Sequence, residues 1–268
     1  MKFLFLLFFI FSFCFTQAQE LFVFTEPASN MAAKSIGIRL NNTVMRDKTA
    51  KKNNYHLVPE LMWGVSRNIM IHGEMFLSNR NAGFVSEGGS VYIKYRVLSN
   101  DGIHSHFRVA AFGRYSFNNS DIHQRAVDLN GHNSGYEGGV VFTQLKNKVA
   151  LSSSVSMVHV TNNGKEKFIY GDKDRNAVNY TLSAGKLMLP KEYTGYNQTN
   201  VNLMLEILGQ SNINTGNSFL DIAPSVQFIF FSQLRIDAGY RIPLVKTLSR
   251  TAAQGFIIRL EYNIFNIY

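Results

Sequence analysis

The sequence predicts an all-β protein, a transmembrane antiparallel up-and-down β-barrel of about 12 strands. Three observations predict it. Segments of roughly ten residues alternate apolar and polar positions, the period of a strand with two unlike faces. Their connections alternate between long polar loops and tight turns. The chain ends in GFIIRLEYNIFNIY, where Phe256, Ile258, Leu260, Tyr262, Ile264 and Tyr268 form one row, and Arg259, Glu261 and Asn263 lie on the opposite face.

The N-terminus reads as an export signal. Met1-Lys2 is followed by FLFLLFFIFSFCF and then by Thr16-Gln17-Ala18, which are a basic start, a short apolar stretch and a small-residue cleavage site. Residues 1–18 are expected to be removed after Ala18. The apolar stretch, about thirteen residues, falls short of the roughly 20 that a membrane helix needs. Cys14 lies within it, preceded by Phe13 where a lipoprotein signal requires a small residue. It is the only cysteine, so the mature chain has no disulfide and no thiolate metal site. Losing Lys2 lowers the formal net charge by one from +9. No later window approaches 18 uninterrupted apolar residues. Export without a helical anchor leaves a secreted all-β domain or a barrel in the outer membrane.

Candidate strands lie near 35–45, 54–63, 69–77, 89–98, 106–116, 134–145, 149–160, 177–187, 200–209, 219–230, 233–242 and 254–265. Odd-numbered strands are followed by the long polar stretches DKTAKKN, SNRNAGFVSE, 118–133, TNNGKEKFIYGDKDR, SNINTGNS and VKTLSRTAA. Even-numbered strands are followed by VSRN, LSNDGIHS, KNK and FS. MLPKEYTGYNQT, Met188 to Thr199, breaks the alternation: it belongs to the short side yet is long, which leaves the count open by two strands there or makes Pro190 to Tyr196 a flap. Residues 35–268 read as one barrel. Residues 19–34, including FTEPASNM, precede it as a periplasmic lead-in or as a short piece tucked into the lumen.

The strand pattern assigns Ile36, Ile38 and Leu40, Leu61 and Trp63, Val91, Ile93, Tyr95 and Val97, Leu203 and Leu205, and Val226 and Phe228 to a nearly chargeless outer row, with Trp63, Tyr95, Tyr115, Phe142 and Tyr262 near strand ends, where interfacial aromatics belong. The opposite row collects charge of both signs. Within it Arg96, Arg108, Arg235, Arg241 and Arg259 are the candidates for setting selectivity, because guanidinium forks hold carboxylates and phosphates bidentately. Small solutes, with a preference for small anions, are the expected permeants. Arg235 with Asp237 and Arg259 with Glu261 can equally be members of a structural pairing network.

His56, Glu60, His72 and Glu74 form a second lumenal group, because the VSRN turn brings strands two and three into register. Imidazole plus carboxylate can ligate a divalent ion, although a hydrogen-bonded lumenal cluster accounts for the same residues, and no metal or other cofactor is expected. His104-Ser105-His106 raises the same alternatives at a turn. No GxxxxGK[ST], HExxH, EF-hand or GxSxG pattern occurs. The surplus of lysine falls in expected external loops, where it meets lipid phosphates, and does not indicate nucleic-acid binding.

Two resemblances add to this reading. His132 and Ser134, in GHNSG, are two apart and resemble the His-x-Ser arrangement of outer-membrane phospholipase A and lipid A deacylase, which implies an acyl hydrolase with a lipid-facing serine. Here the pair follows a loop, whereas in the phospholipase it enters one. The C-terminal aromatic strand resembles the signal read by the barrel assembly machinery of outer-membrane proteins, with Tyr268 where Phe is commoner. The Phe-rich leader followed by Gln19-Glu20 is similar to those of Bacteroidota envelope proteins, and the mature chain resembles their small barrels. That resemblance implies an outer-membrane location among lipid and lipopolysaccharide, with both termini in the periplasm. For function it leaves a narrow channel, a lipid hydrolase, or a closed structural or adhesion barrel that acts through its loops.

Overall fold

Alternation of side chains along a strand gives a two-faced ribbon, and twelve such ribbons close on themselves in a computed structural model that describes residues 22–47, 51–80, 83–103, 105–192 and 197–267. The leader 1–18, His104, Tyr196 and Tyr268 lie outside the described residues. The strands are β1 (Ser35–Asp47), β2 (Lys52–Gly64), β3 (Ile69–Ser78), β4 (Val85–Asp101), β5 (Ser105–Asn118), β6 (Gly135–Lys146), β7 (Val149–Val160), β8 (Asn176–Leu189), β9 (Asn200–Asn212), β10 (Ser218–Phe230), β11 (Leu234–Lys246) and β12 (Gln254–Ile264). Each pairs antiparallel with its sequence neighbours, and β1 pairs with β12 to close the ring. Closure leaves no unpaired edge, the condition for a sheet to sit in lipid.

The connections define two ends. The connections that contain 65–68, 102–103, 147–148, 190–192 with 197–199, and 231–233 join strands at one end, and those that contain 51, 79–80 with 83–84, 119–134, 161–175, 213–217 and 247–253 join them at the other. Strands run further into several polar stretches than the sequence indicates, so 119–134 and 161–175 carry most of the asymmetry. The 190–199 connection falls at the tight-turn end, and the strands that flank it, β8 and β9, pair directly with each other.

Three prolines, Pro59, Pro224 and Pro243, sit inside strands, and the first two show how the ladder accommodates them. The β2–β3 pairing skips Val58 and Pro59, and the β10–β11 pairing skips Ala223 and Pro224. Each proline lacks the N–H that the skipped rung would need.

The outward rows match the alternation. Ile38, Leu61, Val91, Ile93, Leu203, Ile258 and Tyr262 are exposed, and no charged side chain interrupts the middle of an outward row. Aromatics ring both ends: Trp63, Tyr95 and Tyr262 toward the tight turns, and Tyr55 with Phe84, Tyr115 with Tyr136, and Tyr240 with Phe256 toward the long loops. No helix of the described residues is long and apolar enough to cross a membrane. An apolar, uncharged wall between aromatic belts is the surface a lipid-embedded barrel presents.

The inward rows are polar. Arg39, Glu60, His72, Lys94, Glu206, Asp221, Gln227, Arg235, Asp237 and Glu261 are all buried. Their burial comes from two chain segments that enter the lumen, residues 22–34 before β1 and the connection 119–134.

Candidate functional site

The first segment forms a floor. Three successive N–H groups, of Val23, Phe24 and Thr25, donate to the carboxylate of Glu206 at 2.8, 2.9 and 2.7 Å. The Ser183 hydroxyl donates to the same carboxylate at 3.2 Å. From across the lumen, the Lys94 ammonium donates to the carbonyls of Pro27 and Ser29 at 2.7 and 2.8 Å and pairs with Glu26 at 3.2 Å. Arg235 donates to the Phe22 carbonyl at 2.9 Å, and Arg259 donates to the Phe22 and Val23 carbonyls. The wall thus grips the segment mainly by its backbone. Burial works against the Glu26 charge, yet Lys94, Arg39, His72 and Arg259 hold its carboxyl well below the ordinary value.

Beneath and beside the floor runs a continuous ion-pair network. Arg39 meets Glu60 at 3.2 Å, Glu261 at 2.8 Å and Glu26 at 3.5 Å. Arg235 meets Asp237 at 2.8 Å and Glu261 at 3.5 Å. Sharing each ion among several partners is what lets this much charge stay out of water.

The second segment forms a lid at the long-loop end. Ile122, Val127 and Leu129 pack with Val158, Val160, Phe168 and Ala177, and Ala126 packs with Phe219 and Leu248. The Gln210 amide clasps Val127 on both sides: its Oε1 accepts from the Val127 N–H at 2.9 Å, and its Nε2 donates to the Val127 carbonyl at 2.6 Å. Arg80, paired with Glu87, reaches the Gly131 carbonyl and the His132 ring. Gly131 has φ 111°, and a Cβ there would lie 2.3 Å from His56 Nε2. Only glycine lets the lid lie this close to the wall.

Between floor and lid lies a cavity of about 380 Å3. Glu26 and Val23 to Thr25 line it below, Gln124, Ala126 to Asn130 and His132 above, and Arg39, Glu60, His72, Glu74, Arg114, Glu137, Arg241, Arg250 and Arg259 around it. Its volume suits a small solute.

The structure separates the residues that the sequence grouped. Glu60, His72 and Glu74 come together, with one donor atom of each within 4.8 Å of the others. His72 Nδ1 faces Glu60 diagonally, because the register pairs Glu60 with Glu74 and Met62 with His72. Both carboxylates are already met by guanidiniums, Glu60 by Arg39 and Glu74 by Arg114 at 2.5 Å, so a divalent ion there would compete with two fixed cations. His56 is elsewhere, under the lid, its ring 6.1 Å from that of His132.

The arginines divide as well. Arg235 and Arg259 hold the floor. Arg108 donates to the Ser29 hydroxyl at 3.0 Å and pairs with Asp101 at 3.0 Å. Arg96 lies near the tight-turn end, and its Nε makes no hydrogen bond. Arg241 shares Asp221 with Arg250, which the sequence reading missed because it lies in the 247–253 connection.

His132 and Ser134 do not form the pair that the hydrolase resemblance requires. Ser134 precedes β6 and is buried, which corrects its assignment to the lipid-facing row. Its hydroxyl donates to the Asn118 carbonyl at 3.1 Å and accepts from the Asn118 N–H at 2.7 Å. The imidazole of His132 is engaged by Arg80 on one side, with Asp128 3.8 Å from the other. Burial, and then Arg80, His56, His123 and Arg241, push its pKa well below the ordinary value.

No family model matches the sequence, and no curated protein matches it. Among solved structures, the chain is similar to the NanC porin, with 10% identity, a TM-score of 0.53 and coverage of 86% of this chain and 98% of that one. It is also similar to an outer membrane channel from Pseudomonas putida F1, with 10% identity, a TM-score of 0.56 and coverage of 90% and 99%. At such identities the likeness is one of fold, a closed antiparallel barrel of twelve strands.

Proposed function

We propose that this protein is an outer-membrane barrel acting as a narrow, gated channel for small polar solutes. One observation carries the reading: the lumen is occupied by two chain segments that are not part of the wall. A barrel built only as a structural post can fill its interior with wall side chains. Here the wall side chains leave a charged cavity, and separable segments close it below and above. The fold shared with a porin and an outer membrane channel supports the same reading. So does the apolar wall, which suits surrounding lipid and lipopolysaccharide, while β12 is the strand the barrel assembly machinery would read.

The expected preference for small anions now rests on fewer residues. Arg108, Arg235 and Arg259 already hold the floor or wall partners, which leaves Arg96 at one end and the Arg241–Arg250 pair at the other. The test is single-channel recording of the refolded mature chain in a planar bilayer, with reversal potential measured across a KCl gradient. Brief steps that lengthen when the floor is weakened support a gated channel, and a reversal potential on the chloride side supports the anion preference. Silence from both the native chain and a floor-weakened variant, each correctly folded, would remove the channel reading and favour a closed barrel acting through its loops.

A further inference from the structure

The cavity is lined by charge that does not balance locally, and the imbalance has a direction. On one side Asp221 of β10 is met by two guanidiniums, Arg241 at 2.5 Å and Arg250 at 2.5 and 2.7 Å. Two cations on one carboxylate leave a surplus positive charge, with Arg250 held 3.8 Å above the Phe219 ring centroid. On the other side one guanidinium serves two carboxylates. Arg114 of β5 meets Glu74 of β3 at 2.5 Å and Glu137 of β6 at 3.8 Å. The hydroxyls of Ser90 and Ser156 and the Asn179 amide also donate to these two carboxylates.

The ring order puts β3, β5 and β6 four to six strands from β10 and β11, close to half the circumference away. Glu74, Arg114, Glu137, Asp221 and Arg241 all lie in the half of their strands nearer the long-loop end. The two surpluses therefore face each other across one level of the cavity. Asp128 of the lid also faces this space, its carboxylate 3.8 Å from the His132 ring. Below this level four cations, Arg39, Lys94, Arg235 and Arg259, accompany four carboxylates, Glu26, Glu60, Asp237 and Glu261, while Glu206 is hydrogen-bonded by the three floor N–H groups.

We propose that the cavity binds a small zwitterion, an amino-acid-like or short-peptide solute, with its carboxylate on Arg241 and Arg250 and its ammonium on Glu74 and Glu137. This deepens the channel reading by naming the class of solute. A molecule carrying both charges satisfies both surpluses at once, and one carrying a single charge leaves the other unmet.

Calorimetry on the refolded mature chain in detergent tests this with glycylglycine and triglycine, each compared with its N-acetylated form, which keeps only the anion, and its C-terminal amide, which keeps only the cation. The expected result is that one of the uncapped peptides binds at least about tenfold more tightly than either capped form, as loss of one charged contact implies. In Arg250→Gln the uncapped peptide should bind no better than the amide, and in Glu137→Gln no better than the acetylated form. The capped-peptide comparison needs no variant, so it stands even if one substitution disturbs folding. Equal binding of the acetylated and uncapped peptides would overturn the proposal in favour of a simple anion site, and binding of none of them would overturn it outright. Conductance without peptide binding would leave the channel and remove this inference; peptide binding in a chain that never conducts would leave the binding cavity and remove the channel.

Discussion

Floor and lid both close the lumen, yet they are held by different forces. The floor is held by ions that grip backbone: Glu206 takes three N–H groups, and Lys94, Arg235 and Arg259 take carbonyls. The lid is held largely by apolar packing, Ile122, Val127 and Leu129 against Val158, Val160 and Phe168, with Gln210 and Arg80 fixing its backbone. A grip on backbone by a few buried ions is all-or-none, because removing one leaves several partners stranded at once. Apolar packing yields in smaller steps, one side chain at a time.

The largest effect should therefore come from Glu206→Ala. Three N–H groups lose a charged acceptor, a loss on the order of 3–5 kcal/mol to the seated floor. Cys14, the one native thiol, lies in the expected leader, so a reporter Thr25→Cys in the mature chain is read without background. Its maleimide labelling should rise about a hundredfold or more on adding Glu206→Ala, and bilayer currents should gain long-lived steps. Labelling at the native rate would show that the floor does not depend on this carboxylate.

Replacing both Arg235 and Arg259 with Ser comes next. As residues of an open path they would change only ion selectivity. As holders of the Phe22 and Val23 carbonyls they should also speed labelling at position 25, by a smaller factor than Glu206→Ala because Lys94 and Glu206 remain. A change in reversal potential with unchanged labelling would reverse that view. For the lid, Gln210→Ala strands the Val127 N–H and carbonyl together, at about 2 kcal/mol. Protection of the Val127 amide against hydrogen exchange should drop roughly thirtyfold, while protection of the Thr25 amide stays unchanged. Equal losses at both amides would mean that floor and lid open as one unit.

The wall was legible in the sequence and its contents were not, for a physical reason. Alternation must hold along every lipid-facing strand, so Ile258, Leu260 and Tyr262 on one face and Arg259 and Glu261 on the other fix the facing of β12 before any coordinates are seen. Residues 119–134 carry no such constraint, and their Asn, Ser and Asp content reads as a solvated loop. The signal was present in Ile122 and in the run Ala126, Val127 and Leu129, apolar residues with no reason to sit in an external loop. For residues 22–34 the sequence leaves two alternatives, a periplasmic lead-in or a piece tucked into the lumen, and cannot choose the second, because the wall recognises their backbone, and backbone leaves no mark in the sequence. His132 and Ser134 mislead for a related reason: two residues apart implies a shared face only on a strand, and both precede β6.

Acid should separate the two regions by a smaller effect. In the lid, His132 has a pKa pushed well below its ordinary 6.5 by burial, then by Arg80, with His56, His123 and Arg241 adding to the repulsion and Asp128 opposing it at 3.8 Å. The displaced lid takes up a proton near 6.5 that the seated lid refuses. Seating is therefore fully favoured above that pH and weakens as the pH falls toward the lowered value, by at most about 1.4 kcal/mol per pH unit. In the floor, Glu26 has a carboxyl held well below its ordinary 4.5 against the effect of its burial, chiefly by Lys94 and Arg39. Its contribution is present above 4.5 and is lost only as the pH falls from there through the lowered value. Between pH 6.5 and 4.5 the Val127 amide should lose protection, after correction for the intrinsic exchange rate, while the Thr25 amide keeps its own. Below 4.5 the Thr25 amide should follow. His132→Asn should flatten the first change and leave the second in place. If the Thr25 amide yields first, the floor is the weaker closure, and the ordering argued from the forces that hold the two segments is wrong.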